Sequence, residues 1–182
     1  SLTKSYQVKN PGKIIVENFG GLSPSIIVAN IDINTVTILN NNNVITLSTG
    51  KYPFDIATAD LNNDGLPDLV TANTTKNSIS LISQNSNGSF SAPISFPVGK
   101  RPISIKKAKL DNDNFPDLVV ANQNGSSVSV LKNNMGSFGA AQTFAVDSFP
   151  HAVETGDFNN DGYDDIAVIC VRTNIDSGKV DV

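Results

Sequence analysis

The sequence predicts an all-β protein, a β-propeller of four-stranded blades. Three observations carry that prediction. The stretch Ala59–Val70 returns as Ala108–Val119 and again as Gly156–Ala167. The spacing is 49 residues from Asp68 to Asp117 and 48 from Asp117 to Asp165. Each of the first two copies leads into alternating apolar and hydroxyl-bearing residues, such as Ser78-Ile79-Ser80-Leu81 and Ser127-Val128-Ser129-Val130. Such alternation between Asn- and Gly-rich turns is strand chemistry. Four short strands in about 40–50 residues is the signature of a propeller blade. A sandwich gives similar strand spacing but no reason for the repeat.

Taken in order, an N-terminal outer strand is expected at residues 5–9, with Ser5-Tyr6-Gln7-Val8 resembling the last strand of a blade. Blades follow at about 11–49, 50–98, 99–147 and 148–182, in one propeller segment spanning 1–182. The first blade carries a worn copy of the repeat, Glu17–Ile27, in which Ser25 matches Asp68. The second gives the clearest strands: A at Ile56–Ala59, B at Leu69–Ala72, C at Ser78–Ile82 and D at Pro93–Phe96. The fourth has A, B and the start of C, Lys179–Val182. About four blades are therefore expected. The outer strand at 5–9 could close a four-bladed ring, or the chain could be an arc of a larger propeller. The arc is favoured, because the last C strand stops mid-pattern.

Composition narrows the function. Hydrophobic residues make up 39% and charged residues 16%, which excludes a charge-solvated disordered chain. The net charge is −4, so neither nucleic acid nor an anionic membrane is an expected partner. The longest apolar run, Ile166–Val171, is too short to span a bilayer. It holds Cys170, the one cysteine, which reads as a buried, inert thiol. No nucleophile–base pair stands out, and no enzyme activity is expected.

The repeated acidic stretch carries the chemistry. Asp60, Asn62, Asp64 and Asp68 place side-chain oxygens at loop positions 1, 3, 5 and 9, and the Leu66 carbonyl can serve position 7. Gly65 permits a sharp turn at position 6. An all-oxygen set without His or Cys favours calcium. Asp157, Asn159, Asp161, the Tyr163 carbonyl and Asp165 repeat it, with Gly162 at position 6. This is not an EF-hand: Thr71 and Val168 stand where its twelfth-position Glu belongs. The middle copy is degenerate: Lys109, Asp111, Asp113, the Phe115 carbonyl and Asp117, with Asn114 for the glycine. There Lys109 is expected to stand in for the cation and Asn114 to take the left-handed turn. The first copy, with Glu17, Gly20, Gly21 and Ser25, should bind nothing.

The motifs Asp60-Leu61-Asn62-Asn63-Asp64-Gly65-Leu66-Pro67-Asp68 and Asp157-Phe158-Asn159-Asn160-Asp161-Gly162-Tyr163-Asp164-Asp165 resemble the FG-GAP or VCBS repeats of integrin-α-like propellers. The likeness covers about residues 5–182. It implies two calcium loops between strands A and B, a third degenerate one, often seven blades, and partner binding on the opposite face. The Phe-Gly/Gly-Ala-Pro signature is echoed only at Phe138-Gly139-Ala140-Ala141.

The expected function is a secreted or cell-surface adhesion module that binds a protein or glycan. Its candidate ligand residues are Lys51, Tyr52, Phe54, Arg101, Phe149 and His151. A lectin, or a non-catalytic accessory domain of a secreted enzyme, is the alternative. An open arc would also invite self-association. Sequons at Asn73, Asn87 and Asn124 fit a secreted chain.

Overall fold

The computed structural model describes residues 6, 8–19, 23–40, 43–171 and 179–181. It is all-β, with strands paired antiparallel in chain order. The first sheet holds β1 (Pro11–Glu17), β2 (Ser25–Asn30), β3 (Thr35–Asn40) and β4 (Asn43–Ser48). The second holds β5 (Pro53–Ala59), β6 (Asp68–Asn73), β7 (Ser78–Ile82) and β8 (Ile94–Pro97). The third holds β9 (Pro102–Ala108), β10 (Asp117–Asn122), β11 (Ser127–Leu131) and β14 (Gln142–Ala145). A small hairpin, β12 (Asn133–Asn134) and β13 (Ser137–Phe138), interrupts it. The last sheet holds β15 (Pro150–Gly156), β16 (Asp165–Cys170) and β17 (Lys179–Asp181). Of the outer strand expected at 5–9, residues 5 and 7 lie outside the described residues, and Tyr6, Val8 and Lys9 belong to no strand. Among the described residues no helix is long and apolar enough to cross a membrane.

A repeated asparagine closes each of the first three sheets at the same register. Asn30 faces Thr35, Asn73 faces Ser78 and Asn122 faces Ser127. Their buried amides donate to hydroxyls on the next strand: Asn30 to Thr37 at 2.9 Å, Asn73 to Ser80 at 2.9 Å, Asn122 to Ser129 at 2.8 Å. This is the physical content of the repeated Ala-Asn pair, since a buried amide is costly unless it is bonded. It also fixes Gly50 and Gly99, where an added Cβ would lie 2.5 Å from the Asn73 and Asn122 side chains. Asn73 is fully buried, so its sequon cannot be glycosylated in the folded chain. In the fourth sheet the buried Cys170, opposite Lys179, takes this place.

The sheets stack face to face through their first strands, in the order β1, β5, β9, β15. Every residue of β6 and β10 is buried, because both faces of the middle sheets are covered. The end sheets are covered on one face. Ile14 and Val16 of β1 are 63% and 64% exposed, and Ile169 of β16 is 47% exposed.

Three kinds of link join neighbouring sheets. Apolar clusters fill the seams, as Ile27, Ala29, Val36 and Ile38 do against Ile56, Leu69 and Ile82. First strands bond sideways: Asp55 accepts from the Ile105 amide at 2.9 Å, and Thr58 donates to Glu17 at 2.6 Å. Third, the A–B loops of the first two sheets each push one large side chain into the sheet that follows. Phe19 meets Phe90 edge to face with centroids 5.4 Å apart, and Leu61 is sealed among Leu118, Leu131 and Phe138. The later sheet then grips the loop by its backbone. The Gln84 amide donates to the Phe19 carbonyl at 3.0 Å, and the Asn133 amide to the Leu61 carbonyl at 2.8 Å.

Candidate functional site

The acidic loops join the first and second strands of their sheets at one end of the stack. In the loop of residues 60–68, backbone amides fold inward onto carboxylates. Asp60 accepts from the Asp64 and Gly65 amides at 3.0 and 2.8 Å, and Asp64 from the Leu66 amide at 2.9 Å. The turn needs left-handed backbone at Asn63 (φ 59°) and Gly65 (φ 84°). Asn tolerates that region and Gly prefers it. Asp68, at the base, is buried and accepts from the Leu61 and Gln84 amides. Burial raises its pKa above the ordinary carboxylate range; those two amides lower it, and Asp64 and Asp60 push it up again. Three carboxylates thus crowd one loop, and among the described residues no cation is paired with any of them.

The loop of residues 157–165 repeats this closely. Asp157 accepts from the Asp161 and Gly162 amides at 3.1 and 2.9 Å, Asp161 from Tyr163 at 2.9 Å, and Asp165 from Phe158 at 3.0 Å. Asn160 and Gly162 take φ of 63° and 90°. Among the described residues, no three Asp, Glu, His or Cys side chains converge as a ready metal site. A cation would have to draw these carboxylates further together.

The middle loop departs from both. Neither Asn112 nor Asn114 is left-handed, so the turn expected at Asn114 does not form. An asparagine is permitted there, but nothing compels it once the first-position carboxylate is gone. Lys109 is not the internal cation either. Its ammonium lies over the Tyr163 ring at 5.6 Å, and its backbone pairs with Asp164. The cation comes from Lys132, just past β11, whose Nζ lies 2.9 Å from both Asp111 and Asp117. Hydrogen bonding to Lys132 holds the Asp111 pKa below its ordinary value. Burial works against the ammonium, but the bonds to Asp111 and Asp117 outweigh it and raise the Lys132 pKa. One residue past Lys132, the Asn133 amide donates to Asp117 at 2.8 Å, as Gln84 does to Asp68 at 3.1 Å. By that register Ser83 occupies the place of Lys132 in the second sheet.

At the opposite end, the loops entering each first strand repeat a strained residue. Asn10, Tyr52, Arg101 and Phe149 all sit at φ between 45° and 65°. For a residue with a Cβ this costs about 1 kcal/mol or more. The preceding sheet holds two of them in place: the Tyr52 amide donates to the Asn34 side chain and the Arg101 amide to that of Asn77, both at 2.9 Å. Tyr52 and Arg101 share a cleft with Thr74, Thr75, Asn77, Lys100 and Asn124. Lys51 lines an adjoining cleft with Lys76, Ser78 and Ser80. Phe54, Phe149 and His151 are exposed but line neither.

Sequence reasoning missed Lys132, the Gln84 and Asn133 grips and the left-handed series. Aligning the chain on Asp68 and Asp117 would have shown Lys132 beside its loop. Nothing in the identities of Tyr52, Arg101 and Phe149 signals positive φ.

Stacked four-stranded sheets with acidic turns at one end define a propeller-like repeat protein. The chain belongs to the FG-GAP-like repeat family, whose model matches residues 60–120 and 109–168. Among solved structures it resembles Kuenenia stuttgartiensis hydrazine synthase, at 18% identity and a TM-score of 0.68 over 100% of this chain and 49% of that one. It also resembles BBS1N, solved in complex with ARL6DN and soaked with lead, at 15% identity and a TM-score of 0.59 over 90% of this chain and 52% of that one. At such identities the likeness is one of fold, and the chain spans about half the length of these chains. No curated protein matches it in sequence.

Proposed function

We propose that the chain is an extracellular interaction module stabilised by calcium in two loops. Asp60, Asn62, Asp64, the Leu66 carbonyl and Asp68 would hold one ion. Asp157, Asn159, Asp161, the Tyr163 carbonyl and Asp165 would hold the other. The observation that carries this reading is Lys132. Where the loop keeps its base carboxylate but loses its first ligand and its left-handed turns, an ammonium bridges positions 3 and 9. The two intact loops carry the same crowded carboxylates, and among the described residues no lysine is ion-paired with them. Their donors are all oxygen, which suits a hard cation. Affinities of about 0.1–1 mM, typical of extracellular calcium modules, would leave the loops empty in the cytosol.

The partner would dock at the opposite end, where strained and cationic side chains are displayed. The chain would be an arc of a larger propeller rather than a closed ring. Phe158 holds the loop position of Phe19 and Leu61, yet is 55% exposed, and among the described residues no sheet packs over it. A second reading, an accessory part of a larger enzyme, draws on the hydrazine synthase likeness alone.

The test is calcium uptake followed by thermal unfolding. Two ions per chain are expected. At twenty times a Kd of ~0.1 mM, linkage gives about 1.8 kcal/mol per site. Both sites together should raise the midpoint by about 7–14 °C over EDTA. A sharp transition that ignores calcium, with no uptake, would sink the reading.

A further inference from the structure

We infer that the end of the stack opposite the acidic loops binds an acidic polysaccharide, across the two adjoining clefts of the second and third sheets. This rests on the proposed partner face and names the chemistry of its ligand.

Charge is the first support. The chain is net negative, yet the loops that build these clefts carry Lys51, Lys76, Lys100 and Arg101 and no Asp or Glu. No carboxylate lines either cleft, and among the described residues none of these four cations forms an ion pair. Cations gathered without counter-ions on an acidic protein favour an anionic ligand. Ten of the 17 carboxylates lie in the acidic loops at the other end; Asp32 and Asp147 lie at this end, beside the first and fourth sheets, and line neither cleft.

Shape and chemistry choose the class. The clefts measure about 470 and 520 Å³, within the range of ligand sites, and lie side by side. Lys76 lines one and Asn77 the other, so an extended ligand can run through both. Apart from the cations, Thr75 and Asn124 present a hydroxyl and an amide, and Tyr52 adds one exposed ring. Hydroxyls and amides bond sugar hydroxyls, the ring stacks on a sugar face, and lysine and arginine take carboxylate or sulfate. Deep apolar pockets for peptide side chains are missing from this set. The backbone agrees: Tyr52 and Arg101 are held left-handed by hydrogen bonds from the preceding sheet, and strain is retained where the display of a side chain matters.

The experiment uses the full chain in saturating calcium, with a melting midpoint for every variant. Immobilised heparin and polygalacturonate are the probes, dextran is the neutral control and poly-L-glutamate the competitor. Retention on both acidic glycans, weakening with salt, and none on dextran is expected. Lys100→Gln with Arg101→Gly should weaken binding about tenfold without lowering the midpoint, because glycine accepts the left-handed backbone. Lys51→Gln with Lys76→Gln, at exposed positions, should give about threefold. No retention, retention on dextran, or retention unchanged in both variants overturns the proposal. Displacement by poly-L-glutamate at equal charge assigns the clefts to acidic peptides; it ends the glycan claim and leaves the partner face standing. Retention lost in Asp60→Asn with Asp157→Asn but kept in the cleft variants moves the ligand to the acidic end and overturns the partner-face reading itself.

Discussion

The loops of residues 60–68 and 109–117 begin from nearly the same sequence and reach different electrostatic solutions. In the first, Asp68 is pushed toward protonation by burial and by its neighbours Asp64 and Asp60. In the second, Asp111 is pulled toward ionisation by Lys132. The backbones differ too: the first is left-handed at Asn63 and Gly65, the second at neither equivalent. In the second loop the positive charge comes from the chain's own Lys132; on the proposed reading, the first takes it from solution. A loop that has gained the lysine no longer needs the first-position Asp or the glycine, and this one has lost both.

That contrast can be broken most strongly at Lys132. Lys132→Met leaves the buried Asp117 beside Asp111 with no cation. Loss of a fully buried partner costs about 3–5 kcal/mol. With Lys132 partly exposed, about 2–3 kcal/mol is expected, read as a lower denaturant midpoint that is the same in calcium and in EDTA. Next in size is Asp60→Asn with Asp64→Asn. It should remove one of the two calcium ions and about 1.8 kcal/mol of calcium-dependent stability, measured by dialysis and by melting with and without chelator. The exchange in the other direction, Ser83→Lys, places an ammonium where Lys132 stands one sheet later. It should stabilise the calcium-free chain by about 1 kcal/mol and abolish uptake at that loop. The triple change Lys109→Asp, Asn114→Gly, Lys132→Ser should raise the stoichiometry to three.

The smallest effect is on pH dependence. The folded pKa of Asp111 is depressed, so its bond to Lys132 contributes fully above the ordinary carboxylate range. The contribution is lost as pH falls through the lowered pKa. Melting of the parent against Lys132→Met should therefore converge in acid and diverge toward neutrality.

Much of this was legible in the sequence, because the repeat prints its register twice. The strands, the acidic loops and the buried Asn of the first three sheets fall where self-comparison puts them. The cation of the third loop was not legible. Lys109 sits inside the motif and draws the eye, whereas Lys132 lies just past β11 and reaches the loop only once β10 and β11 pair. Nor were the clefts, since Tyr52 and Arg101 lie 49 residues apart and meet only through stacking. Local pattern reports strands well; contacts between sheets depend on packing that no single repeat contains.

The grip of each later sheet on the loop before it also has a direction. Gln84 closes on Phe19, and Asn133 on Leu61, never the reverse. A ribosome releases the gripped loop first and the gripping amide some 65–72 residues afterwards. In these two pairs the bond that closes a loop is supplied by a residue the ribosome makes later.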